Sequence, residues 1–217
     1  MNNSIKEYYE KLTKELLTTF VNEKYKDSKI LDKPDIQSND GTSFGVEVTE
    51  CMSSYDGTAE AFARMYFNKS NTNEELEEKM SKMKLDCLIL HDDSNSWRTF
   101  SSTQGMFDVT KKKKEIADCI KSKNIKKEEG YKLFNENSLF LFCKFSYNMC
   151  DIKDIVANIY DNYFDLIFFE CTGVMFVYYK NNNKIISYNY SENYSYSKIF
   201  DILKSKSSWF KQKKIIN

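Results

Sequence analysis

Two carboxylates and a threonine mark residues 33–50, KPDIQSNDGTSFGVEVTE. Asp35 and Glu47 are separated by Ser38-Asn39-Asp40-Gly41, and Asp-Gly tolerates the positive φ that tight hairpins need. Beyond the turn, Phe44, Val46 and Val48 alternate with Gly45, Glu47 and Thr49, the period of a strand with one apolar face. Glu47 therefore points away from Phe44 and Val46 and shares its face with Thr49. A carboxylate at mid-strand is costly unless something neutralises it. Asp35, on the strand before the turn, is placed to lie close to it. Two carboxylates facing one spot repel each other, and a bound cation removes that cost.

The elements that must position this pair follow from periodicity. Ile5, Tyr8, Tyr9, Leu12, Leu16, Phe20 and Val21 recur at helical spacing and predict a helix over 4–22. Short strands follow at 30–31 and 35–37, then the strand at 44–49. Helices are expected at 58–68, 73–84, 109–128, 151–160 and 193–206, with Gly130 ending the third. Apolar runs at 87–90, 138–145 (SLFLFCKF) and 164–169 (FDLIFF) read as buried strands. Residues 174–179 and 184–190 flank Asn181-Asn182-Asn183 as a hairpin, and 92–107 reads as loop. The order predicts a mixed α/β fold, a central sheet flanked by helices on both faces. A single domain over 1–217 is expected, with a helical insertion around 70–130.

Composition narrows the class only slightly. The 217 residues contain 32 Lys plus Arg and 32 Asp plus Glu, so net charge does not select a polyanionic partner. Hydrophobic residues reach 41%, enough for a real core. Six cysteines are spread without a CxxC pair, so the usual zinc spacing is missing. The N-terminus has no signal-peptide apolar region and no segment is long enough in apolar residues to span a bilayer. A cytoplasmic protein with reduced thiols and no membrane partner is the expectation.

An amphipathic helix, a meander carrying Pro34-Asp35, a strand carrying Glu47-Val48-Thr49 and a further helix resemble the PD-(D/E)XK nuclease superfamily over roughly residues 4–70. Many restriction endonucleases and phage or repair nucleases belong to it. The resemblance implies a restriction-endonuclease-like core and hydrolysis of DNA phosphodiester bonds with Mg²⁺ or Mn²⁺. The cation polarises the phosphate and acidifies a water, and Mg²⁺ keeps several waters, so one or two carboxylates suffice. By the resemblance Asp35 and Glu47 hold the metal, with the carbonyl of Val48 as a third ligand. The motif lysine is replaced by Thr49, whose hydroxyl is no base near neutral pH. Either the lysine comes from another element or catalysis is lost while the fold is kept. Ile116, Ile120, Lys123, Lys127 and Tyr131 fall on one helical stripe, although Gly130 interrupts it before Tyr131. A lysine on an inward stripe needs a carboxylate or phosphate, so Lys123 and Lys127 are the two candidates for a displaced lysine. Relatives often carry a metal-assisting glutamate on the first helix; Glu10 and Glu15 both flank its apolar stripe, and Glu15 is preferred.

Other candidates are weaker. His91-Asp92-Asp93 offers a metal ligand or general base, against an exposed loop after a strand. Lys111–Lys114 and the lysines of 121–127 form either a phosphate-contacting face or a solvated one. Tyr188, Tyr190, Tyr194 and Tyr196 either stack on bases or decorate a sheet. The alternative overall reading is a catalytically inactive protein of the same fold that binds a nucleic acid or a protein. A homodimer is compatible with the sequence. A third reading, ordinary surface ion pairs, requires Asp35 and Glu47 to lie far apart.

Overall fold

The computed structural model describes residues 3–51, 78, 81, 87–91, 97–102, 109–126, 130–143, 146–159 and 162–190. Its elements are α1 (Asn3–Leu16), β1 (Lys29–Ile30), β2 (Ile36–Gln37), β3 (Phe44–Cys51), β4 (Cys87–His91), β5 (Trp97–Ser102), α2 (Val109–Lys126), β6 (Glu136–Cys143), α3 (Met149–Ala157), β7 (Leu166–Cys171), β8 (Val174–Tyr179) and β9 (Lys184–Asn189). A π turn at Leu17–Val21 prolongs α1, so the stripe expected over 4–22 is one element with a change of pitch.

Met1–Cys51 and Ile116–Asn217 form one compact unit, and Met52–Glu115 forms another. The second unit's bounds differ from the expected 70–130, and its described part includes a β-hairpin. In that hairpin β4 pairs antiparallel with β5, with a bulge at Leu90/His91. Here the expected loop at 92–107 is corrected over 97–102, the part of it that is described. Trp97, Thr99 and Phe100 are strand formers, and pairing with β4 outweighs the serines around them. The expected helix at 73–84 is described only at residues 78 and 81, both helical. The expected helices at 58–68 and 193–206, and Asp92, Asp93, Tyr194 and Tyr196, lie outside the described residues, as does the side chain of His91.

The first unit holds a seven-stranded mixed sheet in the order β1-β2-β3-β6-β7-β8-β9. β3, β6 and β7 run parallel at its centre, and antiparallel strands flank them. Parallel strands are buried on both faces, which is why β6 is apolar from Leu139 to Cys143. Phe140 and Phe142 pack with Leu12, Leu16 and Leu17 of the α1 segment on one face. Leu139 and Leu141 pack with Ile116 and Ile120 of α2 and Ile152 and Ile155 of α3 on the other. Asn148 starts α3 with a reciprocal capping box to Asp151.

The hairpin before β3 forms as the sequence predicts. Gly41 takes φ +70°, and Asp40 accepts hydrogen bonds from the backbone of Thr42 and Ser43 and from the hydroxyls of Ser38 and Ser43. Gly45 has a different duty. A β-carbon there would lie 2.6 Å from both the Phe134 ring and the Pro34 ring, so only glycine lets the Pro34-Asp35 segment lie against β3. Gly45→Ala is therefore expected to destabilise the fold by about 1–3 kcal/mol through overpacking, measured as a lower denaturant midpoint at unchanged slope.

Candidate functional site

The site is built where one strand outlives its neighbour. β2 pairs with β3 only at Gly45 and Val46, while β3 continues to Cys51. Past Val46 the edge of β3 facing β2 has no strand partner among the described residues, and buried backbone donors there need another acceptor. Asp35, just before β2, supplies it: its Oδ2 accepts the Val48 amide N–H at 2.8 Å. The carboxylate thus continues the ladder by one rung. A residue's N–H and C=O leave a strand on the same edge, so the Val48 carbonyl also faces this side.

Glu47 projects from β3 toward α2. Its Oε1 accepts from Lys123 Nζ at 2.6 Å and from the Tyr131 hydroxyl at 3.0 Å, while its Oε2 is buried with no hydrogen-bond partner. Burial and the charge of Asp35 push its carboxyl above the ordinary range, against the pull of Lys123 and Tyr131. From the opposite face α1 brings Lys6 and Glu10, one turn apart. Lys6 Nζ lies 3.0 Å from Asp35 Oδ1, 3.4 Å from Glu10 Oε1 and 3.5 Å from Asp32 Oδ1. The bond to Asp35 holds the Lys6 ammonium well above its usual range. Burial and the neighbouring Asp35 charge push Glu10 up to about 7.

These groups surround a cavity of about 210 Å³, lined also by Tyr9, Lys33, Thr49 and Glu50. Such a volume holds several waters. Asp35 and Glu47 are 3% and 6% exposed, so neither is an ordinary surface ion pair, and the reading that set them far apart is overturned. Lys123 is where the helical stripe put it, and Thr49 lines the cavity beside Glu47's strand. Lys127 lies outside the described residues. Glu15 is corrected: it is exposed on α1, and Glu10 is the glutamate at the cavity. Five residues apart on a helix, the two point about 140° from each other, so only one can reach the site. Tyr131 joins despite Gly130, whose φ of +96° turns the chain without removing the tyrosine from Glu47. Lys6 was missed; its only signal is its place four residues before Glu10.

The lysines at the start of α2 do not present one uniform face. Lys112 is buried and pairs with Glu115 at 3.2 Å, whereas Lys111 and Lys114 are exposed. Tyr190 is buried and donates its hydroxyl to Glu170 Oε1 at 2.9 Å, a core role. Comparison with protein families, curated proteins and solved structures finds no match for this chain.

The donor set fits a hard divalent cation on one condition. Among the described residues no group of three or more His, Cys, Asp or Glu side chains is arranged to hold a metal alone. Mg²⁺ asks less, since it retains several waters. The partnerless Glu47 Oε2, the Val48 carbonyl and Asp35 are oxygen ligands of the right kind. The condition is that Lys6 gives up Asp35 Oδ1, and its side chain, 45% exposed, has room to do so.

Two outcomes are expected from this geometry. Lys123→Met leaves Glu47 buried beside Asp35 and should cost about 3 kcal/mol; adding Glu47→Gln should restore most of it, as read by chemical denaturation. Glu10 also links stability to pH. Its folded pKa, about 7, lies above its ordinary 4.5. The folded state then binds more protons between those values, so its contribution is full below pH 4.5 and is lost as pH rises through 7. Glu47 shifts in the same direction. Denaturation midpoints should therefore fall across that window, and Glu10→Gln should flatten the fall.

Proposed function

We propose that this chain is a divalent-metal-dependent nuclease that hydrolyses DNA phosphodiester bonds on a restriction-endonuclease-like, PD-(D/E)XK-type core. The observation that carries the reading is the approach of the Lys123 ammonium to within 2.6 Å of Glu47, on a strand whose Val48 amide is held by Asp35. A lysine on a helix then stands in for the one that Thr49 replaces. Asp35, Glu47 and the Val48 carbonyl would hold Mg²⁺ or Mn²⁺. When bound, the cation supplies positive charge for the phosphate and lowers the pKa of a water.

The chain's own residues do the rest. Lys123 and Tyr131 fix Glu47 Oε1 and leave Oε2 without a hydrogen-bond partner. Lys123 also carries protons that can orient an attacking water or meet phosphate charge. Glu10, whose carboxyl is pushed up to about 7 by burial and the charge of Asp35, can take up or release a proton near neutral pH.

One observation favours the second reading, a catalytically inactive binding module of the same fold. Lys6 already pairs with Asp35 and Glu10, so the acids are partly compensated without a metal.

The deciding experiment is calorimetric titration with Mg²⁺ and Mn²⁺ alongside cleavage of duplex and single-stranded DNA. The nuclease reading expects metal binding that strengthens as pH rises through about 7, where Glu10 gives up its proton. It also expects at least a ~100-fold loss of cleavage in Asp35→Ala, Glu47→Ala and Lys123→Met with far-UV circular dichroism unchanged. Cleavage by Glu47→Ala at the wild-type rate sinks the assignment. Neither cleavage nor metal binding by folded wild type, together with retained DNA or protein binding, establishes the second reading.

A further inference from the structure

Four of the six cysteines, scattered in sequence, meet in the fold. Cys51, Cys143 and Cys171 stand side by side at the C-terminal ends of β3, β6 and β7, in register on neighbouring parallel strands. Cys119 comes to them from α2 and packs with Cys51 against the same apolar cluster, while Cys143 donates its thiol to the Leu141 carbonyl at 3.9 Å and Cys171 donates to the Phe169 carbonyl at 3.7 Å. None of the four is in a disulfide. Three of them form a row with a spacing of about 4.8 Å, a line rather than the tetrahedron one metal ion gathers. Thiol chemistry is therefore the better account of the cluster.

The four are not equivalent. Cys143 and Cys171 are buried, whereas Cys51 and Cys119 are partly exposed. The hydrogen bonds from Cys119 and Cys143, with the charge of Lys123, pull the Cys51 thiol well below its usual range. Hydrogen bonding to Cys171 and Cys51 pushes Cys143 up. Cys51, partly exposed and with its thiol pulled down, is thus the member of the row open to a peroxide, whereas Cys143 is buried. Cys143 is also poorly placed to bond covalently. Side chains level on adjacent parallel strands keep their β-carbons near the strand spacing of about 4.8 Å, beyond the ~3.5–4.5 Å that a disulfide needs. Cys119, approaching from a helix above the sheet, is free of that restriction.

We propose that Cys51 and Cys119 form a redox pair that a peroxide converts into a disulfide, fastening α2 to β3 beside the Lys123–Glu47 ion pair. The thiolate of Cys51 attacks one peroxide oxygen. The O–O bond breaks, an S–O bond forms, and hydroxide leaves. The Cys119 thiol then attacks the sulfur of this sulfenic acid and water leaves, so two thiols give up two electrons and the peroxide becomes water. Lys123 lies one helical turn beyond Cys119 on the same face. The disulfide would thus form one turn from the lysine that holds Glu47. In a reducing compartment such a bond is transient, as befits a sensor rather than a staple.

The test uses the full chain and hydrogen peroxide, and does not depend on any nuclease activity. Time-resolved peptide mapping by mass spectrometry compares Cys51 with Cys150, which is exposed and belongs to no cluster. Cys51 should be consumed about tenfold faster than Cys150, and the product should be a Cys51–Cys119 disulfide that dithiothreitol reverses. In Cys119→Ser the sulfenic acid should persist and be captured by dimedone. Equal rates for Cys51 and Cys150, a link to Cys143 instead, or overoxidation of wild-type Cys51 with no link each overturn the proposal. The wild-type map decides these even if the variant folds poorly.

Discussion

Glu47 is a carboxylate in the middle of a buried strand, and the site around it is arranged to meet the cost of that charge. Unpaired, it would be among the most destabilising groups in the chain. Its compensation comes from α2, through Lys123 and, just beyond the helix, Tyr131. That requirement constrains the helix: the stripe that buries Ile116 and Ile120 against β6 must also deliver Lys123 above β3. The same helix positions Cys119 over Cys51, so packing, charge balance and thiol contact share one element.

A second constraint comes from the early end of β2. An unpaired edge on a central strand has to be covered or capped. Here the cap is the acid that the sequence placed before β2. Asp35 is committed through Oδ2 to the backbone and through Oδ1 to Lys6, which makes it a structural group and a candidate ligand at once. Gly45 makes this possible by letting Pro34 approach.

Much of this was legible in the sequence because it rests on local periodicity. Alternation fixed the face of Glu47, the Asp-Gly turn set the hairpin, and the run from Ile116 to Lys123 pointed a lysine inward. What failed was long-range or close to symmetric. Glu10 and Glu15 flank the apolar stripe on opposite sides, and periodicity alone cannot say which side meets the edge of β3. Lys6 has meaning only once Asp35 and Asp32 are known to converge on it. The cysteine cluster is invisible in spacing because sheet register assembles it, joining residues 51, 143 and 171 across three strands. β5 was hidden by its polar composition, which a two-stranded hairpin tolerates.

The two readings of the cavity differ over a single ammonium group. Lys6 lies where the Asp35 and Glu10 carboxylates converge, and a divalent ion drawn to Asp35 must compete with it. A lysine deeply buried there would settle the matter against a metal, because expelling it would expose uncompensated acids. Lys6 is instead about half exposed and tethered only by its own flexible stem. Its partner Asp35 is only 5% exposed, so releasing Lys6 is tolerable only because the incoming cation takes its place at that carboxylate. The ion that replaced it would bring twice the charge to acids that repel one another. Glu10's raised pKa is the measure of that repulsion and burial, showing that one ammonium leaves the acids incompletely neutralised. Lys123 is the contrasting case. It is 16% exposed against a carboxylate 8% exposed, and its departure would strand a buried charge. A cation entering the cavity would therefore displace Lys6 and keep Lys123, the order that a metal-dependent hydrolase with a lysine beside its metal requires.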